Sequence, residues 1–441
     1  MQRDERSGGT REASAPPWQS ATAGRRPRIV LYAYDAHPEH GSERGAGWGM
    51  IRLLAAWSDI WVITRSTPPG TDGYGRWGEL HDDVAHVHWV HVPLPGDATL
   101  EADINLDAFG WLSRAVPHVD YLRWQLYALR RARALHRRLH FDIAWHLTWA
   151  NVWLGSTAWL IGPPFVLGPV GGGVDAPWRL VPTLGARGMA MAIARWAVRR
   201  VARAVNPLAR LSWRHAALIL VQNPETRDWL STSARRRSRI FQNAVLTVPA
   251  EYRAVRTRST GTTAVFVGRL VPMKGVHLAI AAIARLPDWR LLVVGDGPDR
   301  GRLRAVARRV GVFDRVDFRG SVPRGEVLRI LRDEADVLLF PSLHDEAGMV
   351  VAEAMTLGVP VVCLDVGGPP VMAGGGVSPT NPQETVAALA QATVQAAGTT
   401  PRPMPTFAEL AETLRSEIAV AGLWTSPADH DTTLTGLATS A

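Results

Sequence analysis

Between residues 264 and 364 the sequence alternates between short apolar runs and helical stretches so densely that few folds can hold it. The apolar runs fall at 264–267, 290–294, 316–319, 337–340 and 360–364, each four or five residues long. Between them, residues 275–285, 300–310, 324–334 and 348–357 read as helices. Runs apolar at nearly every position suit strands buried on both faces, and their alternation with helices predicts a parallel sheet covered on both sides. Glycine turns at Gly295-Asp296-Gly297-Pro298 and Gly367-Gly368-Pro369-Pro370 punctuate the series.

The first half repeats this grammar more loosely. Strands are predicted at 28–34, 60–64, 86–92, 141–147, 164–167 and 218–222, with helices at 48–56, 121–140 and 187–205. A glycine-rich loop, Gly41 to Gly47, is expected after the first strand. Residues 240–245 read as extended and lead into a polar, Thr- and Arg-rich stretch. The expected division is a disordered tail at 1–27, a Rossmann-like domain at 28–239, a linker at 240–263 and a second Rossmann-like domain at 264–399. A helix at 400–425, able to cross back, and a loose tail at 426–441 complete it. A length of 441 residues suits two such cores. The fold class is therefore α/β, with two doubly wound domains whose strand C-termini and helix N-termini face a shared cleft.

Charge and composition narrow the functions. The net charge of +9 favours phosphate-bearing partners, although the Arg runs at 130–133, 199–200 and 235–237 also read as solvated helix faces. The basic residues carry no interleaved aromatics of the kind that bind nucleic acid. The one cysteine, Cys363, lies in an apolar run and reads as a core residue, and no disulfide framework exists. No apolar run of about 20 residues and no secretory leader pattern occurs, so the expected home is the cytoplasm, either free or at the inner face of the membrane.

Four constellations carry chemistry. In the first, Pro341 to Met355, two acids (Asp345, Glu346) precede a helix start at Gly348, and Glu353 lies one turn past Met349. Free N–H groups at that helix start can hold an anion. A diol would then suit the carboxylate roughly 6 Å along. The same segment also reads as a helix capped by Asp345 with Glu353 as a surface acid. The second is Gly268-Arg269 followed by Lys274-Gly275, two cations at a strand-to-helix junction able to neutralise a diphosphate. The third is the loop ending at Gly47, and the fourth is Gly168-Pro169-Val170-Gly171-Gly172-Gly173, near which His146 ends a strand. Both glycine runs serve either ligand approach or tight packing.

Together, Gly268-Arg269…Lys274-Gly275, Gly295-Asp296-Gly297-Pro298, the Asp345…Glu353 segment and Gly358-Val359-Pro360-Val361-Val362 resemble group-1 glycosyltransferases of family 4, which have the GT-B fold. Gly41-Ser42-Glu43…Gly47-Trp48, Tyr121-Leu122…Trp124-Gln125, Phe141-Asp142…His146 and Gly168 to Gly173 resemble one branch of that family. The resemblance implies a retaining, metal-independent hexosyltransferase with an acceptor-side first domain and a donor-binding second domain. No cofactor is implied beyond the nucleotide-sugar co-substrate. Arg269 and Lys274 would bind the diphosphate, with Gly268 beside them. Glu353 would hold the ribose, Asp345 would touch the sugar, and Ala347 to Val350 would grip sugar and phosphate. Gly47 would pack against the diphosphate, His146 would lie near the reaction centre, and Val322 would approach the base. The family has Glu at both ends of the seven-residue gap; here Asp345 stands at the first, with Glu346 beside it as a stand-in.

The acceptor is expected to be a glycan, lipid-linked or small-molecule hydroxyl. Arg195, Arg199 and Arg203 share a helix face opposite Val198, Val201 and Val205, so residues 188–205 read either as a basic helix resting on anionic lipid or as a helix packed on its own domain. Two other function classes fit the same motifs: a non-catalytic sugar-nucleotide-binding or partner subunit, and a sugar-nucleotide epimerase.

Overall fold

The computed structural model describes residues 25–36, 42–65, 84–92, 112–245, 252 and 261–424. The first sheet comprises β1 (Arg28–Tyr32), β2 (Asp59–Arg65), β3 (Val87–Val92), β4 (Ile143–His146), β5 (Phe165–Val170), β6 (Ala216–Val221) and β7 (Ser238–Ile240). Its order is β3-β2-β1-β4-β5-β6-β7, with every pair parallel. The second comprises β8 (Thr263–Val267), β9 (Arg290–Val294), β10 (Val316–Gly320), β11 (Val337–Phe340) and β12 (Val361–Cys363), in the parallel order β10-β9-β8-β11-β12. In each, the order reverses beside the first strand of the sheet, which opens a crevice at the strand C-termini.

Alternation along β1 shows how the first sheet is buried. Val30 and Tyr32 join one core with Trp124 and Phe165, while Ile29 and Leu31 join the opposite core with Met50 and Leu54. That period of two is what a strand buried on both sides requires. The second core gathers Val265, Leu292, Leu338 and Val351 between its two helix layers. Cys363 is buried in the second domain, where burial, and then Asp365, push its thiol up to about 12.

Helix α1 (Ser42–Ala55) meets the segment after β7, because a side chain on Gly49 would lie 2.4 Å from the Val245 carbonyl. Two crossings tie the domains together. Val174, Leu180, Val181, Leu184 and Ala192, although they follow β5, pack into the core of the second domain. Helix α2 (Phe407–Val420), capped by Thr406 and Glu409, returns to the first domain, where Leu414 and Ile418 are buried with Leu53 and Leu54.

Several expectations are corrected. Ser42 to Gly47 are helical, not a loop; glycine costs about 1 kcal/mol in a helix, but at Gly47 a side chain would meet Thr148 Cγ2 at 2.5 Å. The extended run expected at 240–245 is a strand only at Ser238–Ile240. Arg25, in the expected tail, pairs with Asp142 at 2.7 Å. Residues 1–24 and 426–441 lie outside the described residues.

The basic helix packs through its arginines. In α3 (Gly185–Val205), Arg199 is buried, donating to the carbonyls of Gly172 and Val174 and pairing with Asp175. Arg203 lies over the Trp229 ring, while Val198, Val201 and Val205 face outward. The arginine face therefore folds inward, because the loop at 172–175 offers bare carbonyls and a carboxylate.

Candidate functional site

Gly268 and Arg269 follow the end of strand β8, and Arg269 is exposed with no carboxylate partner among the described residues. One 3-10 turn later, Lys274 reaches Asp345 and lies 5.5 Å from the centre of the Phe340 ring. Gly275 makes this turn possible. Its φ is +70° and a Cβ would sit 1.9 Å from the Pro341 carbonyl, so the cation-bearing turn closes directly onto the strand that precedes Asp345. The two predicted groups, Lys274 and Asp345, thus meet as a half-buried ion pair.

Beyond Asp345 the chain turns at Gly348, φ +77°, into α4 (Met349–Thr356). The first N–H groups of the helix have no acceptor within it and follow directly on the turn that carries Asp345. Met349 and Val350 send their side chains against the second core, leaving backbone as the polar part of the turn. One turn in, Glu353 accepts from Arg324 Nε at 2.9 Å. Burial pushes the Glu353 carboxyl up, and Arg324 opposes that shift. Val322, two residues before Arg324, packs half-buried against the same core.

Glu346 takes a different direction from Asp345. Its carboxylate accepts from Asn223 Nδ2 at 2.9 Å, Thr226 Oγ1 at 3.2 Å and the Val174 amide at 3.4 Å, all on segments that follow the first sheet's strands. Burial raises its pKa, while Asn223, the amides of Gly172 and Val174, and Arg199 hold it down. Gly171 allows this approach, since its Cβ would stand 3.0 Å from Glu346 Cγ. The glycine run at 168–173 therefore admits the side chain of Glu346. A further set of cross-domain bonds surrounds it. Glu225 accepts from the Gly367 amide at 2.8 Å, His344 Nδ1 donates to the Val174 carbonyl at 2.9 Å, and Thr183 bonds His277 at 2.8 Å.

His146 ends β4 and is 1% exposed. Nε2 donates to the Thr148 carbonyl at 3.2 Å and contacts the Tyr121 hydroxyl, while Nδ1 has no partner among the described residues. Burial pushes its pKa down to about 4, so the ring is neutral near pH 7. Gly47 reaches the same place from α1, against Thr148. These two residues share one packed cluster rather than lining open cleft.

Arg324, Asn223, Thr226 and Tyr121 escaped the sequence reading as site residues. An Arg just after Ser321-Val322-Pro323 and an Asn-Pro helix start at Asn223 were the available signals. No group of three or more His, Cys, Asp or Glu able to hold a metal occurs among the described residues.

Known proteins share this architecture. A lipopolysaccharide outer core galactosyltransferase, WaaB in its apo form, superposes with a TM-score of 0.53 at 13% identity, covering 89% of this chain and 98% of that one. HepE of Anabaena in complex with UDP superposes with a TM-score of 0.50 at 16% identity, covering 89% and 100%. The fold is GT-B. Residues 250–394 match the family model described as glycosyl transferases group 1. A 2-deoxystreptamine glucosyltransferase of Streptomyces kanamyceticus is 39% identical over 129 residues, 27% of this chain and 33% of that protein. That match spans about a third of the relative's length. The GT-B frame explains why the charged groups gather where they do: in each half the strands point their C-termini into the crevice that holds Lys274, Asp345 and the start of α4.

Proposed function

We propose that this protein is a retaining hexosyltransferase that moves a sugar from a nucleotide-sugar to an acceptor hydroxyl. The observation that carries the reading is the row Arg269, Lys274, the αL turn at Gly348 and Arg324-held Glu353, all on the C-terminal crevice of the second sheet. The group-1 match over residues 250–394 supports it, because that stretch contains every member of the row.

In this reading, Arg269 and Lys274 bind the donor diphosphate and the amides after Ala347 grip its oxygens. Glu353 takes the ribose hydroxyls, Asp345 touches the sugar, and Val322 lies toward the base. The bond from the anomeric carbon to the phosphate oxygen breaks, and a bond from the acceptor oxygen forms on the same face. The acceptor proton passes to the leaving phosphate. Negative charge grows on that phosphate, where fixed cations stabilise it most. His146 acts as a positioning residue through Tyr121 and Thr148. The acceptor is a glycan, lipid-linked or small-molecule hydroxyl, and no metal or further cofactor takes part.

The test is a thermal-shift screen with UDP, GDP, ADP and their sugar conjugates, followed by transfer and hydrolysis assays on the stabilising donor. The Arg269→Ala, Lys274→Ala double variant should lower turnover by about a hundredfold or more. Full donor affinity and turnover in that variant would refute the assignment. Donor binding without hydrolysis or transfer would favour a non-catalytic subunit, and donor conversion without acceptor would favour an epimerase.

A further inference from the structure

From Ala190 to Val205, helix α3 carries an outward arc with no polar side chain. Ile193, Val198, Val201 and Val205 are 45%, 61%, 59% and 70% exposed. Ala190, Ala194 and Ala204 are exposed between them, and Ala197 is half-buried. At 3.6 residues per turn these positions form one continuous face, about 20 Å long. Beside it, Trp178 and Trp196 are exposed and stand edge to face, 5.7 Å between ring centres. The opposite face is spent on the protein: Gly188 packs on Pro272, Arg195 contacts His344 at 2.5 Å and Arg199 holds the loop at 172–175.

Charge decides what covers this face. From Gly185 to His215 the chain has seven arginines and no Asp or Glu. Asp175 is engaged by Arg199 and Arg200. Around Arg203 the positive charge is dense enough that, after burial, Arg200, Arg235 and Arg210 each lower its pKa. A second copy docked face to face would bring the exposed Arg187 and Arg200 against their own kind. An anionic surface would neutralise them.

We propose that this arc seats in the boundary between headgroups and acyl chains of an anionic bilayer, with the valines and Ile193 inserted and the exposed Arg187, in the first turn of α3, and Arg200 on lipid phosphates. A monotopic helix needs an apolar face outward, a polar face kept in a wet or protein environment, and basic and tryptophan side chains at the rim. Here the protein itself solvates the polar face. No helix among the described residues is long and apolar enough to cross a membrane, so the contact is peripheral. Because the inner face of α3 touches Pro272 and His344, seating it brings the edge of the crevice to the lipid. The inference stands apart from the proposed transfer and is tested without donor or acceptor.

The full chain is floated with vesicles of phosphatidylglycerol and phosphatidylcholine in equal parts, and with phosphatidylcholine alone. It should float with the anionic vesicles, less so as salt rises. A Val198→Ser, Val201→Ser, Val205→Ser variant should bind about tenfold more weakly or worse with an unchanged melting temperature, since these side chains leave no core. Arg187→Gln should weaken binding by about fivefold on anionic vesicles alone. Failure of the wild type to float with anionic vesicles overturns the proposal, as does equal flotation of the triple-serine variant. A dimer in sedimentation that the triple-serine substitution dissolves would assign the face to a second copy and overturn it as well.

Discussion

The two walls of the crevice are built on opposite principles. On the C-terminal wall the charged groups stay nearer the surface: Arg269 is exposed, the Lys274–Asp345 pair keeps side-chain exposures of 23% and 14%, and the buried Glu353 meets an Arg324 that is 35% exposed. On the N-terminal wall the corresponding groups are sealed. His146 is a neutral ring beneath Tyr121, and Gly47 and Gly171 are contact points for other side chains. A wall that must release charge to a phosphate keeps its ions at the surface, where desolvation is cheap. A wall that must hold shape can bury a polar ring if burial keeps it uncharged.

Acid should expose the sealed groups most strongly. The folded chain holds His146 at about 4, and the buried His277 of the second domain, apart from the contrast between the walls, at about 3, against about 6.5 when unfolded. As pH falls below about 6.5 the unfolded chain takes up these protons first. Stability is therefore full above that value and declines until the folded pKa is reached. For His146 alone this amounts to about 3 kcal/mol, read as a fall in denaturation midpoint across that window. A His146→Gln variant should flatten its share. If it instead keeps the full acid dependence and loses turnover well above neutrality, His146 acts directly on substrate and the contrast between the walls breaks.

Glu353→Gln probes the reachable side. It weakens the Arg324 pair and the proposed ribose contact, and should raise the donor Kd by about 2 kcal/mol, or some thirtyfold, with little change in melting temperature. Calorimetric titration of the donor checks it; a melting temperature that collapses with Kd unchanged would move Glu353 to the sealed class. The smallest effect is expected for Gly47→Ala. Its new methyl meets Thr148 at 2.5 Å, an overpacking that costs about 1–3 kcal/mol of stability and should leave Kd within a few-fold. A donor Kd that rises while stability holds would place Gly47 at the diphosphate.

Much of the second domain was legible because its signals are local. The predicted strand at 290–294 matches β9, and the run at 337–340 matches β11, since runs of that length and composition have few other solutions. Lys274 and Asp345 were legible as charges at turns, although their pairing depends on Gly275 folding back on Pro341. The first domain was harder. Gly45 and Gly47 read as loop because glycine disfavours helix, and tertiary packing overrode that preference. The fate of Glu346 was illegible, since Asn223 and Thr226 lie more than a hundred residues away from it in the chain.

From the sequence alone come the α/β class, the doubly wound second half and the row of charges at its strand ends, because each depends on spacing within one βα unit. The tertiary structure alone decided which of two adjacent acids faces Lys274 and which clasps the other domain. It also turned the arginines of α3 inward and its valines outward. Those outcomes depend on partners distant in sequence, whose approach only the packed chain defines, and a helix's charge pattern says nothing of which neighbour will bury it.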